Sequence, residues 1–423
     1  MNDNSRSIVL FAGISHAIVH TYELSIPILV AIWLVEFPVS TATVGLIVSV
    51  GYALFGIGAL PGGILADRLG SRTLIVGCLA GMGLSFLLLS VAPGILTIAI
   101  ALAAWGIAAS VYHPSGLSLI STGVDNRGSA FAYHGMAGNI GIAFGPLLTA
   151  VLLLSFDWRM VTRLLVLPTV IAIGYALTTD FDETAAVSAD GGTEQPASEA
   201  EEMSVSKFIT DSRALFTTGF ALAMVIVMMN GLFYRGMLTF LPDVLDRFLP
   251  PITDFVQLFD PNSPIAEEFT LSSYLYAALL TIGIGGQYVG GKVSDRIPST
   301  TGLAVVFGAL VVVTISFVPA ARGGVATLLV VSGLLGFLLF ALQPLYQATI
   351  ADHSPPGDRG LSYGYTYLMS FGIGAAGAAI AGFLLSVVTA DGTFLALAVF
   401  PALGSLFAIA LSRRDRSTQH PEP

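Results

Sequence analysis

The sequence predicts an all-α integral membrane fold, with twelve transmembrane helices in two pseudo-symmetric six-helix halves, and three observations predict it. First, 55% of the 423 residues are hydrophobic and only 10% are charged, against roughly 25% charged in a typical soluble domain. With a mean hydropathy of +0.83, lipid must be the solvent for most of the outer surface. Second, apolar runs of about 20 residues, enough to cross about 30 Å of hydrocarbon, recur from end to end. Third, the segment Gly62-Gly63-Ile64-Leu65-Ala66-Asp67-Arg68 returns as Gly290-Gly291-Lys292-Val293-Ser294-Asp295-Arg296. Each copy closes the second apolar run of its half, as a duplicated chain requires.

Glycine, proline and charge punctuation place the runs. The N-terminal half, residues 1–179, holds spans at 8–34, 42–65, 73–92, 95–121, 128–155 and 161–179. The C-terminal half, residues 211–423, holds spans at 212–241, 269–293, 301–319, 323–350, 360–387 and 392–412. Between them, residues 180–210 contain DGGTEQPASEAEE. Low in aromatics and rich in acids, this stretch reads as a disordered acidic cytoplasmic linker. A second long loop, Pro242 to Glu268, is rich in prolines, aromatics and acids and is expected to fold as short helices over one mouth.

Basic residues set the orientation. With the N-terminus inside, Arg6, Arg68, Arg72, Arg127, Lys207, Arg213, Lys292, Arg296, Arg359, Arg413, Arg414 and Arg416 fall on the inner side. Only Arg159, Arg163, Arg247 and Arg322 fall outside. Both termini are therefore expected in the cytoplasm, with the chain multi-pass in the cell membrane. No cleavage site follows Met1 to Ser7, so the first span is read as retained. The lone Cys78 excludes an intramolecular disulfide and a cysteine metal site. A net charge of −10 with two lysines, Lys207 and Lys292, suits a high-salt cytoplasm, and a halophilic source is the working expectation.

The repeated loop carries a specific resemblance. Gly63-Ile64-Leu65-Ala66-Asp67-Arg68-Leu69-Gly70-Ser71-Arg72 is similar to the loop signature of the major facilitator superfamily, so the expected fold is the major facilitator fold and the expected activity secondary transport by alternating access. Gly63, Asp67, Arg68, Gly70 and Arg72, with Gly291, Asp295 and Arg296 in the second copy, are read as a conformational latch. Glycine lets helices approach, and Asp–Arg pairs hold helix ends in one state. In the fifth span, Gly141, Gly145 and Pro146 resemble the G-x-x-x-G-P motif of exporter branches; Thr149 and Ala150 stand where further glycines usually follow. Small residues four apart let helices pack closely in lipid. Ser110-Val111-Tyr112-His113-Pro114, Arg235 to Pro242, and His16, His20 and Glu23 resemble the fosmidomycin-resistance, drug-efflux type. The arginine that drug–proton antiporters often carry in the fourth span is absent from Ala101 to Ser110. Trp158-Arg159 resembles a pair common at that loop and is read as an anchor.

Ionisable groups inside spans are expensive and so are candidates for function. His16, His20 and Glu23, spaced i, i+4, i+7, share one face of the first helix. Histidine titrates near neutral pH, so this trio is the expected proton site; packing of the first helix, or a metal site with ligands from other spans, are the rival readings. Arg235 must find an anion: Glu23 inside the chain, or an anionic solute. Competition between the two is expected to couple solute binding to proton release. Asn230 and Tyr234, Gln343 and Gln347, His113 and His134 complete the expected cavity lining, with packing the stronger reading for His134. The expected activity is thus proton-coupled export of a small organic, anionic solute or drug. An importer of the same fold, or a membrane-embedded metal-dependent enzyme using the intramembrane histidines, stands as the alternative. The histidines do not cluster in sequence as that enzyme class requires, and no Walker-type phosphate loop occurs. The expected partners are a small molecule, protons or another ion, and the bilayer, with no nucleic acid, no cofactor, no metal and a monomeric working unit.

Overall fold

The structure is a computed structural model that describes residues 1–125, 127–186, 205–249, 271–354 and 359–419. Its described residues form long helices in twelve consecutive rods. In the first half these are α1 (Asp3–Glu36), α2 (Thr41–Ile57 continued by Ala59–Leu69), α3 (Ser71–Ser90), α4 (Ile95–Ser110 and Tyr112–Gly123), α5 (Arg127–Leu152) and α6 (Trp158–Leu164 and Leu167–Thr178). The second half has α7 (Thr218–Thr239), α8 (Leu271–Ser294), α9 (Ser299–Arg322) and α10 (Val325–Asp352). It ends with α11 (Arg359–Tyr367, a π-helical turn Leu368–Ile373, then Ala376–Val387) and α12 (Ala390–Leu397 and Val399–Gln419). Eleven of the rods are long and apolar enough to cross a membrane. The other, α8, has 24 residues and so spans about 36 Å, with a sequence richer in Gly, Ser and Tyr.

Local chemistry sets the ends. The side chains of Asn2, Ser40, Thr217 and Thr389 accept the free N–H groups that open α1, α2, α7 and the last rod. Gly70 takes φ +81° between α2 and α3, a left-handed turn that favours glycine. At the opposite end of the N-terminal half, Glu36 closes α1 against α6: it accepts from the Trp158 indole and pairs with Arg159 at 2.8 Å. The anchor read from Trp158-Arg159 is thus a contact with a partner on α1.

Each half packs around its own apolar core. In the first, α5 lies against α1 so closely that a Cβ at Gly145 would sit 2.6 Å from the Cα of Thr21, and one at Gly141 would strike the Ala17 carbonyl. The second half repeats the device between α7 and α11, where Gly231 and Gly374 meet. The halves join along α2 and α11. Thr41 donates to the Gly382 carbonyl at 2.8 Å. Deeper in, the Ser49 hydroxyl donates to the Ala375 carbonyl at 2.7 Å and accepts from the Ala379 N–H at 2.8 Å. α5 and α8 touch near the face opposite the termini, where Tyr274 donates to the Ala150 carbonyl at 3.3 Å. Further along the two helices a cleft of about 370 Å³ lies between them, lined by Met136, Asn139, Ile284 and Gln287.

The start of the linker is more ordered than its composition suggests. Asp182 N–H donates to Asn4 Oδ1 at 2.7 Å, Thr122 donates to the Glu183 carbonyl at 2.6 Å, and Glu183 accepts from the Arg72 N–H at 3.1 Å. The DGGTEQPASEAEE stretch lies outside the described residues, and Val205–Leu215 is helical. Of the loop from Pro242 to Glu268, Leu241–Asp246 forms a short helix and residues 250–268 lie outside the described set.

Candidate functional site

The expected site residues of α1 converge at the interface between the halves. Pro27 lies inside α1 and has no N–H, so the carbonyl of Glu23, four residues earlier, loses its helical donor. Tyr52 on α2 supplies one instead, donating to that carbonyl at 3.3 Å. One oxygen of the Glu23 carboxylate pairs with Arg235 on α7. The other lies 2.6 Å from Nδ1 of His20. Glu23 is 1% exposed and Arg235 3%, so the pair is buried in both senses, from lipid and from water.

Arg235 is held by rings as well as by charge. Its guanidinium carbon lies 3.8 Å from the ring centroid of Tyr52, 5.1 Å from Phe371 and 5.4 Å from Tyr234. Cation–π contact of this kind is strongest where both partners are desolvated.

A histidine chain runs from Glu23 towards the terminal face. Nε2 of His20 lies 3.0 Å from Nε2 of His16. His16 Nδ1–H donates to the carbonyl of His134 on α5 at 2.8 Å. The His16 and His134 rings stack with centroids 4.0 Å apart. Tyr112 on α4 donates to the Ala12 carbonyl, so His134 Nε2–H is the donor to the Tyr112 oxygen at 3.1 Å. His113 meets His16 edge-on at 5.3 Å and lies 4.7 Å from Tyr367 of α11. Its position gives the cluster a wall from each half.

Other expected residues fall differently. Asn230 is buried on α7, with its side-chain oxygen unpartnered. Tyr234 packs on Phe340 and Arg235. Gln343 accepts from Gln287 at 2.9 Å, so it ties α10 to α8, and Gln347 is exposed. Of the residues expected to form a latch, Arg72 donates to the Thr179 carbonyl at 2.8 Å and covers Phe181, which fastens α3 to the end of α6 within the same half. Arg68, Asp295 and Arg296 are exposed, and the burial of Gly63 and the side chain of Asp67 lie outside what is described.

Nitrogens of His16, His20 and His113 lie within 4.8 Å of one another, close enough for one ion to reach all three. The fit is incomplete: the nearest two are 3.0 Å apart and bonded to each other, and the Glu23 carboxylate is committed to Arg235 and His20. Tyr52, Phe371 and Tyr276 carry no signal of their own in sequence. Tyr112 was visible only as part of the Ser110–Pro114 motif.

The sequence profile of the Major Facilitator Superfamily matches residues 9–376. An uncharacterised MFS-type transporter of Bacillus subtilis, YfnC, is 25% identical over 82% of this chain and 75% of its own length. A puromycin resistance protein of Streptomyces alboniger is 36% identical over 25% of this chain, and the match spans only 22% of that protein. Among solved structures, a bacterial homolog of the human lysosomal transporter Spinster, inward-facing and unoccupied, superposes with a TM-score of 0.74 at 14% identity over 98% of both chains. The nucleoside transporter NupG gives 0.70 at 14% identity over 97% of this chain and 99% of its own.

Proposed function

Because the chain belongs to the Major Facilitator Superfamily, it is a secondary transporter rather than an enzyme, and we propose that it couples protons to export of a small organic anion. The observation that carries this reading is the Glu23 carboxylate, divided between Arg235 of the other half and His20 of its own. A solute anion and Glu23 are rivals for one guanidinium, and Glu23 is also bonded to the His20 imidazole. Solute binding and protonation therefore act on the same carboxylate. Since the pair spans the two halves, its making and breaking is tied to their movement.

In this reading Glu23, His20 and His16 carry the proton. Arg235, Asn230, Tyr234 and His113 face the solute, with His134 stacked behind His16, while Gln343 and Gln347, expected in the lining, stand apart from it: Gln343 is bonded to Gln287 and Gln347 is exposed. Gly63, Asp67, Arg68, Gly70, Arg72, Gly291, Asp295 and Arg296 latch the terminal face, taken as cytoplasmic in the plasma membrane. One chain suffices. Export is favoured by the Gly141, Gly145 and Pro146 motif and by the partial likeness to a puromycin resistance protein.

The test uses purified protein in liposomes with an internal pH dye, in high KCl to suit the acidic, lysine-poor composition. Organic acids, phosphonates and toxic amphiphiles are added against a pH gradient, beside Glu23→Gln. Solute-dependent proton flux lost in the variant is expected. Flux that survives it removes Glu23 from the mechanism.

A further inference from the structure

Two rings of α1 are each held in one tautomer. His16 Nδ1–H donates to the backbone carbonyl of His134 at 2.8 Å, and His20 Nδ1–H donates to Glu23 Oε2 at 2.6 Å. A neutral imidazole carries a single N–H. Both Nε2 atoms are therefore left with bare lone pairs, and these face each other across 3.0 Å. The contact has no hydrogen of its own and calls for an electron-poor partner between the rings. Nδ1–H bonded to a carbonyl or a carboxylate, with Nε2 free, is also the arrangement that orients histidine towards a metal ion.

A third ring completes the geometry. In a tetrahedral zinc site with bonds of about 2.0–2.1 Å, ligand nitrogens stand about 3.3 Å apart and their imidazole centroids about 5 Å apart. The His16–His20, His16–His113 and His20–His113 centroids are 4.8, 5.3 and 5.6 Å apart, with interplanar angles of 49°, 90° and 62°. Their facing nitrogens lie within 4.8 Å of one another, so closing on one ion takes shifts on the order of 1 Å. His134 is different. It stacks on His16 with centroids 4.0 Å and planes 17° apart, too near and too parallel to share an ion, and its Nε2–H goes to Tyr112.

We infer that His16 Nε2, His20 Nε2 and one nitrogen of His113 form a binding site for a single divalent transition-metal ion of the zinc class, with a fourth position left for water or an anion. This departs from the expectation of no metal, and α4 supplies the ligand that a pair of histidines on α1 needs from another span. The contact between His16 and His20 is what the ion replaces. Glu23, committed to His20 and Arg235, serves as the outer acceptor and not as a ligand. Imidazole suits zinc, nickel and copper, whereas magnesium and calcium require oxygen ligands. Phe55 of α2, with Tyr367 and Phe371 of α11, packs around His113 at 5.6, 4.7 and 6.0 Å and gives the site an apolar shell. Arg235, on the other oxygen of Glu23, opposes a divalent charge, so the expected affinity is on the order of micromolar, weaker than in a structural zinc site. An ion seated here takes both α1 rings from the proton proposed to use them, which makes the site inhibitory.

The experiment titrates tag-free, chelator-treated protein in detergent with Zn2+, Co2+ and Mg2+, and so measures binding apart from transport. The expected result is one Zn2+ per chain with a raised unfolding temperature, Co2+ absorption bands of a tetrahedral nitrogen site that Zn2+ abolishes, and no response to Mg2+. His16→Gln, His20→Gln and His113→Gln should each weaken Zn2+ by about 100-fold or more, and Glu23→Gln by about 10–100-fold. His134→Phe, which keeps the stack and the backbone acceptor, and His353→Gln, at the terminal face, should bind as the native chain does. X-ray absorption at the zinc edge of the native protein needs no variant and should show about three imidazole nitrogens at about 2.0–2.1 Å. Failure to bind Zn2+, zinc retained by all three ligand variants, an equal response to Mg2+, or a shell of oxygens overturns the inference and leaves the proposed proton coupling standing.

Discussion

Glu23 and Arg235, 212 positions apart in the chain, form one buried ion pair that joins the two halves at their interface. Removing one partner from such a pair leaves an uncompensated charge, at a cost of about 3–5 kcal/mol. Glu23→Gln and Arg235→Gln should each lower the unfolding temperature of the detergent-purified protein sharply. The double variant should recover much of the loss, because the charges are then removed together. Single variants as stable as the native chain would show that the charges are solvated.

Tyr52 does two jobs, stacking on Arg235 and donating to the carbonyl that Pro27 leaves open. Tyr52→Phe keeps the ring and loses the bond, for about 1 kcal/mol. Tyr52→Leu loses the cation–π contact too, for about 2 kcal/mol more. Thermal unfolding should rank native, Phe and Leu in that order, and equal losses for Phe and Leu would deny the ring any part.

The contact of α1 with α5 leaves no room for a side chain at Gly141, whereas a Cβ at Gly174 on α6 would meet nothing within 4 Å. Gly141→Ala should destabilise by about 1–3 kcal/mol and reduce transport. Gly174→Ala should be near neutral or slightly stabilising. Size-exclusion profiles after graded heating separate the two, and matching profiles would mean that α1 and α5 part easily.

Tyr112 accepts from His134 and donates to Ala12. In Tyr112→Phe the buried His134 donor and the Ala12 carbonyl lose their partner, for about 1–3 kcal/mol. The loss should show in thermal unfolding before any transport assay is attempted. An unchanged unfolding temperature would place water, or another group, at those atoms.

What could be read beforehand follows a physical divide. Helical period alone put His16, His20 and Glu23 on one face, because neighbours three and four apart touch whatever the fold. The cost of a lone charge in hydrocarbon demanded a partner for Arg235, and few acids lay within spans. By contrast, the rings of Tyr52, Phe371 and Tyr276 look like any core aromatic until the helices are assembled. His113 joins the cluster, and Gln343 leaves it for Gln287, for reasons of tertiary packing. The α8 rod was legible as a span from its length and from the loop motif that ends it, more than from its apolarity.

The Ser49 hydroxyl has a consequence for motion. It stands between the Ala375 carbonyl and the Ala379 N–H of α11, two groups that an uninterrupted α-helix would bond to each other. When α2 draws away, that intrahelical bond can close, and Ser49 can turn back to a carbonyl of its own helix, as buried serines commonly do. The number of hydrogen bonds is the same before and after. Separation of the halves at this point is an exchange of partners, with nearly equal enthalpy on either side, and so the balance between the two states is left to the other contacts across the interface, the Glu23–Arg235 pair among them.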